Sequence, residues 1–180
     1  MKKMVEEIKK AVDWKKYIMT NSFNYGYRLS MMMQPDMKVI DHRVVNDIEV
    51  DIIYCPEVLC SSGYIIAGMF TLNNNGQMNK VILIDDHFKE LSADTQNFII
   101  DHEIGHLILA HRGNVIKRII GSNESILKEI EADAYASDKN GKLKAMRSIR
   151  EIYQMLPIDS RIACVKEWKM RYKAIKAYTA

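Results

Sequence analysis

The pentapeptide His102-Glu-Ile-Gly-His106 constrains the fold of this 180-residue chain more than any other segment. The residues around it are apolar on nearly every side of a helix, which is typical of a buried helix rather than a surface helix. Side chains four residues apart lie one turn above each other on a helix, so the two imidazoles point toward one place. Two histidines and a glutamate buried together need polar partners, and a single metal ion satisfies all three.

The flanking residues predict where this helix begins and ends. Ser92 is a suitable N-cap, and Asp94 in the first turn suits the helix dipole. Downstream, apolar residues continue to Ala110, and Gly113 is predicted to end the helix as its C′ residue. The competing interpretation is a metal-free helix whose two histidines are hydrogen-bonded core residues.

The spacing His-Glu-x-x-His is a signature of zinc-dependent hydrolases. Glu103 lies about 100° round the helix from His102, too far to be a third ligand but well placed to reach a water molecule on the same ion. Zinc lowers the pKa of such a water to about 7. Glu103 is therefore predicted to be the general base of a hydrolysis, most naturally of an amide, with one zinc ion per chain.

A second helix is predicted to begin at Ser122 or Asn123, either of which can cap it, and to include residues 129–136, Glu-Ile-Glu-Ala-Asp-Ala-Tyr-Ala. This segment is expected to supply the third ligand. Alanines on one face would let it approach the first helix closely. Glu129 is favoured as the ligand, and Glu131, about 200° round the helix from it, is the competitor. Asp133, one turn after Glu129, is predicted to accept the free N–H of a ligating histidine.

The combination of His-Glu-Ile-Gly-His with a later Glu-x-Glu-Ala-Asp-Ala-Tyr-Ala resembles the gluzincin metallopeptidases. It is similar to the soluble ImmA/IrrE-like peptidases of bacteria and phages, and to the membrane-bound HtpX-like peptidases and their small soluble relatives, the minigluzincins. The resemblance covers residues 80–140 and implies zinc on His102, His106 and Glu129, with Glu103 as base. The chain departs from these groups in lacking Leu-Met-Pro after Ala136 and in lacking membrane segments.

The resemblance implies an α+β, zincin-like domain with a small antiparallel or mixed sheet, the His-Glu-x-x-His helix, a glutamate-bearing second helix and a helical C-terminal tail. The expected function is that of an endopeptidase acting on a cytosolic protein, by analogy a transcriptional repressor. His111 and Tyr135 are candidates for stabilising a tetrahedral oxyanion. Two alternatives stay open: a non-catalytic zinc-binding or interaction module of a phage or mobile-element regulatory system, and a deformylase-like hydrolase using Cys60 as ligand.

Composition agrees with one domain over residues 1–180, because the length is typical and 48% of the residues are hydrophobic. We expect an N-terminal cover helix region at residues 1–34, a catalytic core at 48–140 and a helical tail at 141–180. No apolar run approaches the ~20 residues of a membrane span. The charged N-terminus lacks the apolar core of a signal peptide, so a cytoplasmic location is expected. A formal charge of +3 does not require a nucleic-acid partner.

Alternating and β-branched runs predict strands at residues 48–54, 64–72 and 80–85. The Asn75-Gly76 pair between the last two predicts a hairpin over residues 64–85. Apolar residues at helical spacing predict one helix ending at Leu156 and a last helix opening at Asp159 or Ser160. The last helix is expected to expose a solvated basic face, formed by Lys166, Lys169, Arg171, Lys173 and Lys176.

Overall fold

The computed structural model describes residues 38–54, 66–74, 77–111 and 123–178. They divide into two compact units, one ending at Asp86 and the other beginning at His87. The first contains a four-stranded mixed sheet and the second contains helices, so the described chain is α+β, as the sequence predicts. The predicted cover helix at residues 1–34 lies outside the described residues. Of the helices that the structure describes, none is both long and apolar enough to cross a membrane.

The sheet of the first unit has the strand order β1-β2-β4-β3. Strand β1 pairs antiparallel with β2, β2 parallel with β4, and β4 antiparallel with β3. The bounds are Lys38–Val45 for β1, Ile48–Tyr54 for β2, Ala67–Asn74 for β3 and Gln77–Ile84 for β4. Among the described residues of strands β2 and β4, the internal strands, the buried apolar side chains are Val50, Ile52, Ile53, Val81, Ile82, Leu83 and Ile84.

The predicted hairpin is confirmed, because β3 and β4 pair from Ala67↔Ile84 to Asn74↔Gln77. The turn that joins them lies outside the described residues. Strand β1 was not predicted. Its register shifts between Val39 and Asp41, and this irregularity interrupts the apolar and polar alternation that identifies a strand. The sequence does contain one signal for β1, the two residues Asn46-Asp47 that connect it to β2. Their φ angles of 49° and 62° suit a tight hairpin turn.

Five helices follow in chain order: α1 at Asp86–Glu90, α2 at Ala93–Ile108, α3 at Asn123–Asn140, α4 at Lys142–Met155 and α5 at Ile158–Ala177. Helix α2 contains the pentapeptide and is buried along most of its length. Ser92 is its N-cap, as predicted, with its hydroxyl oxygen accepting the Thr95 N–H at 3.4 Å. The Ser92 hydroxyl also donates to the Glu151 carboxylate of α4 at 2.6 Å, which fixes the start of α2 against that helix.

Helix α2 ends earlier than predicted. Its last residue is Ile108, and Ala110 turns the chain with a φ of 52°. The Ala110 N–H donates to the Leu107 carbonyl at 3.1 Å, and the His111 N–H donates to the His106 carbonyl at 2.9 Å. These two bonds form a Schellman motif, which satisfies carbonyls at the helix end. The prediction of Gly113 was wrong because the left-handed position is occupied by alanine, which carries no sequence signal for it.

Helices α2 and α3 approach closely at Gly105. A Cβ atom at this position would lie 3.2 Å from the Ala132 Cα and 3.2 Å from side-chain atoms of Tyr135. Ala132 and Ala136 are fully buried, at 0% exposure. The predicted alanine face therefore packs against the pentapeptide helix, and this packing brings the acidic residues of α3 to the histidines.

The tail is helical as predicted, but one residue of its basic face is misassigned. Lys166, Lys169, Lys173 and Lys176 are exposed, whereas Arg171 is buried at 7% exposure. Helix α5 begins at Ile158, slightly before the predicted start, and its buried residues are Arg171 and Ile175, one turn apart. Ile162, in the first half of the same helix, is 68% exposed although it is apolar. The buried face of α5 therefore includes a cationic side chain, that of Arg171.

Candidate metal centre

Three side chains from two helices converge in the second unit. The Nε2 atoms of His102 and His106 are 3.0 Å apart. In the Glu129 carboxylate, Oε2 lies 3.3 Å from Nε2 of His102 and Oε1 lies 3.5 Å from Nε2 of His106. Ligands about 2.05 Å from a tetrahedral ion are separated by roughly 3.3 Å. All three side chains are at most 15% exposed, and this cluster could hold a metal ion.

Helix α3 presents Glu129 and Glu131 to different surroundings. Glu129 is buried and faces the two histidines, whereas the side chain of Glu131 is 59% exposed and contacts His111 instead. The choice between the two glutamates, left open by the sequence, is therefore made by the packing of α3. Glu129 is the one that the structure brings to the cluster.

The other ring nitrogen of His102 faces Asp133, with Nδ1 and Oδ1 2.9 Å apart. Asp133 is fully buried and also accepts two hydrogen bonds from Arg171, one from Nε to Oδ2 and one from Nη2 to Oδ1, both 2.7 Å long. Arg171 Nη1 lies 3.5 Å from Glu129 Oε2, and its guanidinium stacks 4.6 Å from the centre of the Trp168 ring. Asp133 therefore lies where the sequence predicted, between a histidine and a cation that the sequence did not identify.

The sequence analysis did not identify Arg171 as a residue of the site, because it places Arg171 with the exposed lysines of α5. A signal was present: it lies three residues after Trp168 and four before Ile175, on the apolar stripe of that helix. A buried arginine requires a carboxylate partner. The fully buried Asp133 supplies it.

His106 has a different neighbour. Its Nδ1 lies 2.9 Å from Nδ1 of His111, and Nε2 of His111 lies 2.9 Å from Oε2 of Glu131. Both ring nitrogens of His111 are thus engaged with protein groups. Its predicted role toward an oxyanion stays a prediction.

The buried charges shift the pKa values of the cluster. Burial alone lowers the pKa of His102, but hydrogen bonds to Asp133 and Glu129 outweigh it and raise the pKa to about 9. Burial raises the pKa of Glu129, yet the two histidines and Arg171 hold it well below its usual range. The pKa of Asp133 is likewise lowered, against the effect of burial, chiefly by Arg171. At neutral pH, in the absence of a metal ion, these shifts favour ionised carboxylates and a protonated His102.

The remaining predicted residues lie on the same two helices. Glu103 follows His102 on α2 and is buried at 8% exposure. The ring of Tyr135 would contact any side chain at position 105, and Lys139 Nζ lies 5.6 Å from the centre of that ring. Their proposed parts in catalysis stay predictions. Cys60 lies outside the described residues, and Cys164 in α5 is half-buried with its thiol donating to the Ser160 carbonyl at 2.7 Å.

Comparison of the chain with protein-family models, with curated proteins and with solved structures gives no match in any of the three. The residues of the cluster and their geometry are therefore the basis for inferring a function.

Proposed function

We propose that this protein is a zinc-dependent endopeptidase of the gluzincin type, with zinc on His102, His106 and Glu129. The observation that carries the proposal is the convergence of these three buried side chains at separations of 3.0–3.5 Å. The glutamate that would act as base is the residue next to the first ligand and is itself buried.

The donor set favours a catalytic zinc site over a structural one. Two imidazoles and one carboxylate form a common catalytic set, in which the fourth position is left for water or substrate, whereas structural zinc sites are usually closed by four protein ligands. Among the described residues the cluster has three members. The same count supports a hydrolase over a non-catalytic zinc module, and the presence of Glu129 leaves no need for Cys60 as a ligand.

Zinc bound here would supply Lewis acidity, which polarises the scissile carbonyl and lowers the pKa of the attacking water. Glu103 accepts the proton of that water and returns it to the leaving amine nitrogen. Asp133 and Arg171 hold His102 in one orientation, with its Nε2 toward Glu129. The substrate would be a protein or peptide, and a transcriptional repressor is proposed by analogy alone.

The test is peptide cleavage by zinc-loaded protein, with products from a mixture of unstructured peptides identified by mass spectrometry. Glu103→Gln should keep its zinc and lose about 10²–10⁴-fold in rate, since a positioned general base contributes that much. Glu49→Gln, on the exposed surface of β2, is the matched control and should cleave at the wild-type rate. Cleavage that persists unchanged in Glu103→Gln, or zinc-loaded wild type that cleaves nothing, would contradict the proposed activity.

A further inference from the structure

His111 is held beside His106 by the end of helix α2. In a Schellman motif the residues at C3 and C″ commonly touch through apolar side chains. Here these positions are His106 and His111, and the His111 N–H donates a backbone hydrogen bond to the His106 carbonyl at 2.9 Å. The two rings have centroids 5.1 Å apart and planes inclined at 63°. The left-handed turn at Ala110 therefore brings the backbone of His111 beside His106, within reach of a ring-to-ring contact.

The hydrogen atoms in this chain of contacts are fixed by the metal site. His106 faces His102 and Glu129 through Nε2, so a metal there requires the lone pair of Nε2 and leaves the ring hydrogen on Nδ1. That hydrogen points at Nδ1 of His111, 2.9 Å away, which must then accept it. An accepting Nδ1 in a neutral imidazole places the hydrogen of His111 on Nε2, where Glu131 accepts it at 2.9 Å.

We propose that His111 is a positioning residue for the metal ligand His106, accepting its Nδ1–H and donating its own Nε2–H to Glu131. This inference rests on the proposed metal site and adds residues to it. A group that accepts the free N–H of a ligating histidine fixes its ring and strengthens it as a donor, and its loss typically weakens metal binding about 10 to 100-fold. The His111 side chain is 9% exposed, so water does not readily replace it as acceptor.

The experiment compares zinc dissociation constants, measured by competition with a chromophoric chelator, for wild type, His111→Phe and His111→Asn. Phenylalanine keeps the ring and removes both nitrogens, so zinc should bind about tenfold more weakly. Asparagine offers a carbonyl oxygen close to the position of Nδ1, so it should restore affinity to within about threefold of wild type. His42→Phe, at an exposed position of β1, is the matched control and should bind zinc as wild type does.

Long-range ¹H–¹⁵N NMR of the zinc-loaded wild type supplies the readout that a merely structural role would not give. Its spectrum should show His106 protonated at Nδ1 and His111 protonated at Nε2. Wild-type zinc affinity in a folded His111→Phe, or a proton on Nδ1 of His111, would overturn the positioning role alone. Zinc binding without peptide cleavage would overturn the peptidase and leave this test standing, whereas a wild type that binds no zinc would overturn both.

Discussion

His102 and His106 lie one turn apart on helix α2, yet different parts of the molecule support them. His102 contacts Asp133 of α3, which in turn binds Arg171 of α5, and the side chains of these two residues are 1% and 8% exposed. His106 contacts His111, only five residues further along the chain, and that residue contacts the largely exposed Glu131. One histidine therefore depends on the packing of three helices, and the other on the local geometry of a helix end. We therefore expect substitutions around His102 to reduce stability and zinc affinity more than substitutions around His106.

The largest effect is expected from Arg171. Arg171→Met removes the guanidinium that faces the buried carboxylates of Asp133 and Glu129, and removing one partner of a buried pair costs about 3–5 kcal/mol. Arg171→Lys should recover only part of this loss, because a compact ammonium does not reproduce the planar pair of donors with which the guanidinium meets both oxygens of Asp133. Lys169→Met, exposed on the same helix, should change the free energy of unfolding by less than about 0.5 kcal/mol. Chemical denaturation measures the free energy of unfolding of all three variants. Equal stability of Arg171→Met and Lys169→Met would contradict the expected importance of the buried ion pairs around His102.

The second effect is a dependence of zinc binding on pH, which we attribute to protonation of His102. The pKa of His102 is about 9 in the metal-free protein, so zinc must displace a proton there at neutral pH. Zinc affinity should rise about tenfold per pH unit up to about pH 9, then level off. Competition titrations from pH 7 to pH 9 check this, and a flat profile would contradict it.

The same pKa predicts how the metal-free fold responds to pH. The folded-state pKa of His102, about 9, is above the model value of an unperturbed histidine, 6.5. Protonated His102 therefore stabilises the metal-free fold fully below about pH 6.5, and this contribution is lost as the pH rises to about 9. Thermal melts of chelator-treated protein should show the decline, and Asp133→Asn should reduce it because one of the two carboxylates that raise this pKa is neutralised.

A third effect concerns Asp133 directly. Asp133→Asn keeps the shape of the side chain but removes the charge that faces His102 and Arg171, so zinc should bind several tens of times more weakly. This loss should exceed that of His111→Phe, measured in the same competition assay. The opposite order would show that the local helix end, rather than the buried carboxylate, is the stronger support.

The smallest effect is at the helix end on the His106 side. Ala110 has a φ of 52°, where glycine has no steric penalty, so Ala110→Gly should stabilise the protein by about 0.5–1 kcal/mol. Ala163→Gly, exposed within helix α5, should destabilise it by a similar amount. Opposite shifts in melting temperature are expected for the pair. Destabilisation by both substitutions would contradict the left-handed turn that places His111.

The sequence predicted those parts of the site that follow from helical periodicity. His102 and His106 are four residues apart, as are Glu129 and Asp133, and a spacing of four puts two side chains on one face. The alanines of α3 also predicted the close approach that the structure shows at Gly105.

The sequence did not predict the parts that depend on how whole elements pack or turn. Arg171 shares its helix with four exposed lysines, and only the rotation of α5 decides which cation is buried. The place of His111 depends on a left-handed alanine, a conformation that this residue rarely adopts. Strand β1 was hidden by an irregular register. In each case the deciding quantity is a tertiary or strained local arrangement, which periodicity does not encode.

We propose that His102, His106 and Glu129 together bind one metal ion. The most direct measurement is the metal content of purified, untagged protein, read for zinc and iron together, in wild type, Glu129→Ala and Glu131→Ala. We predict about one zinc per chain in wild type and in Glu131→Ala, and none in Glu129→Ala. Wild type without zinc after reconstitution, or zinc retained in Glu129→Ala, would contradict this metal site.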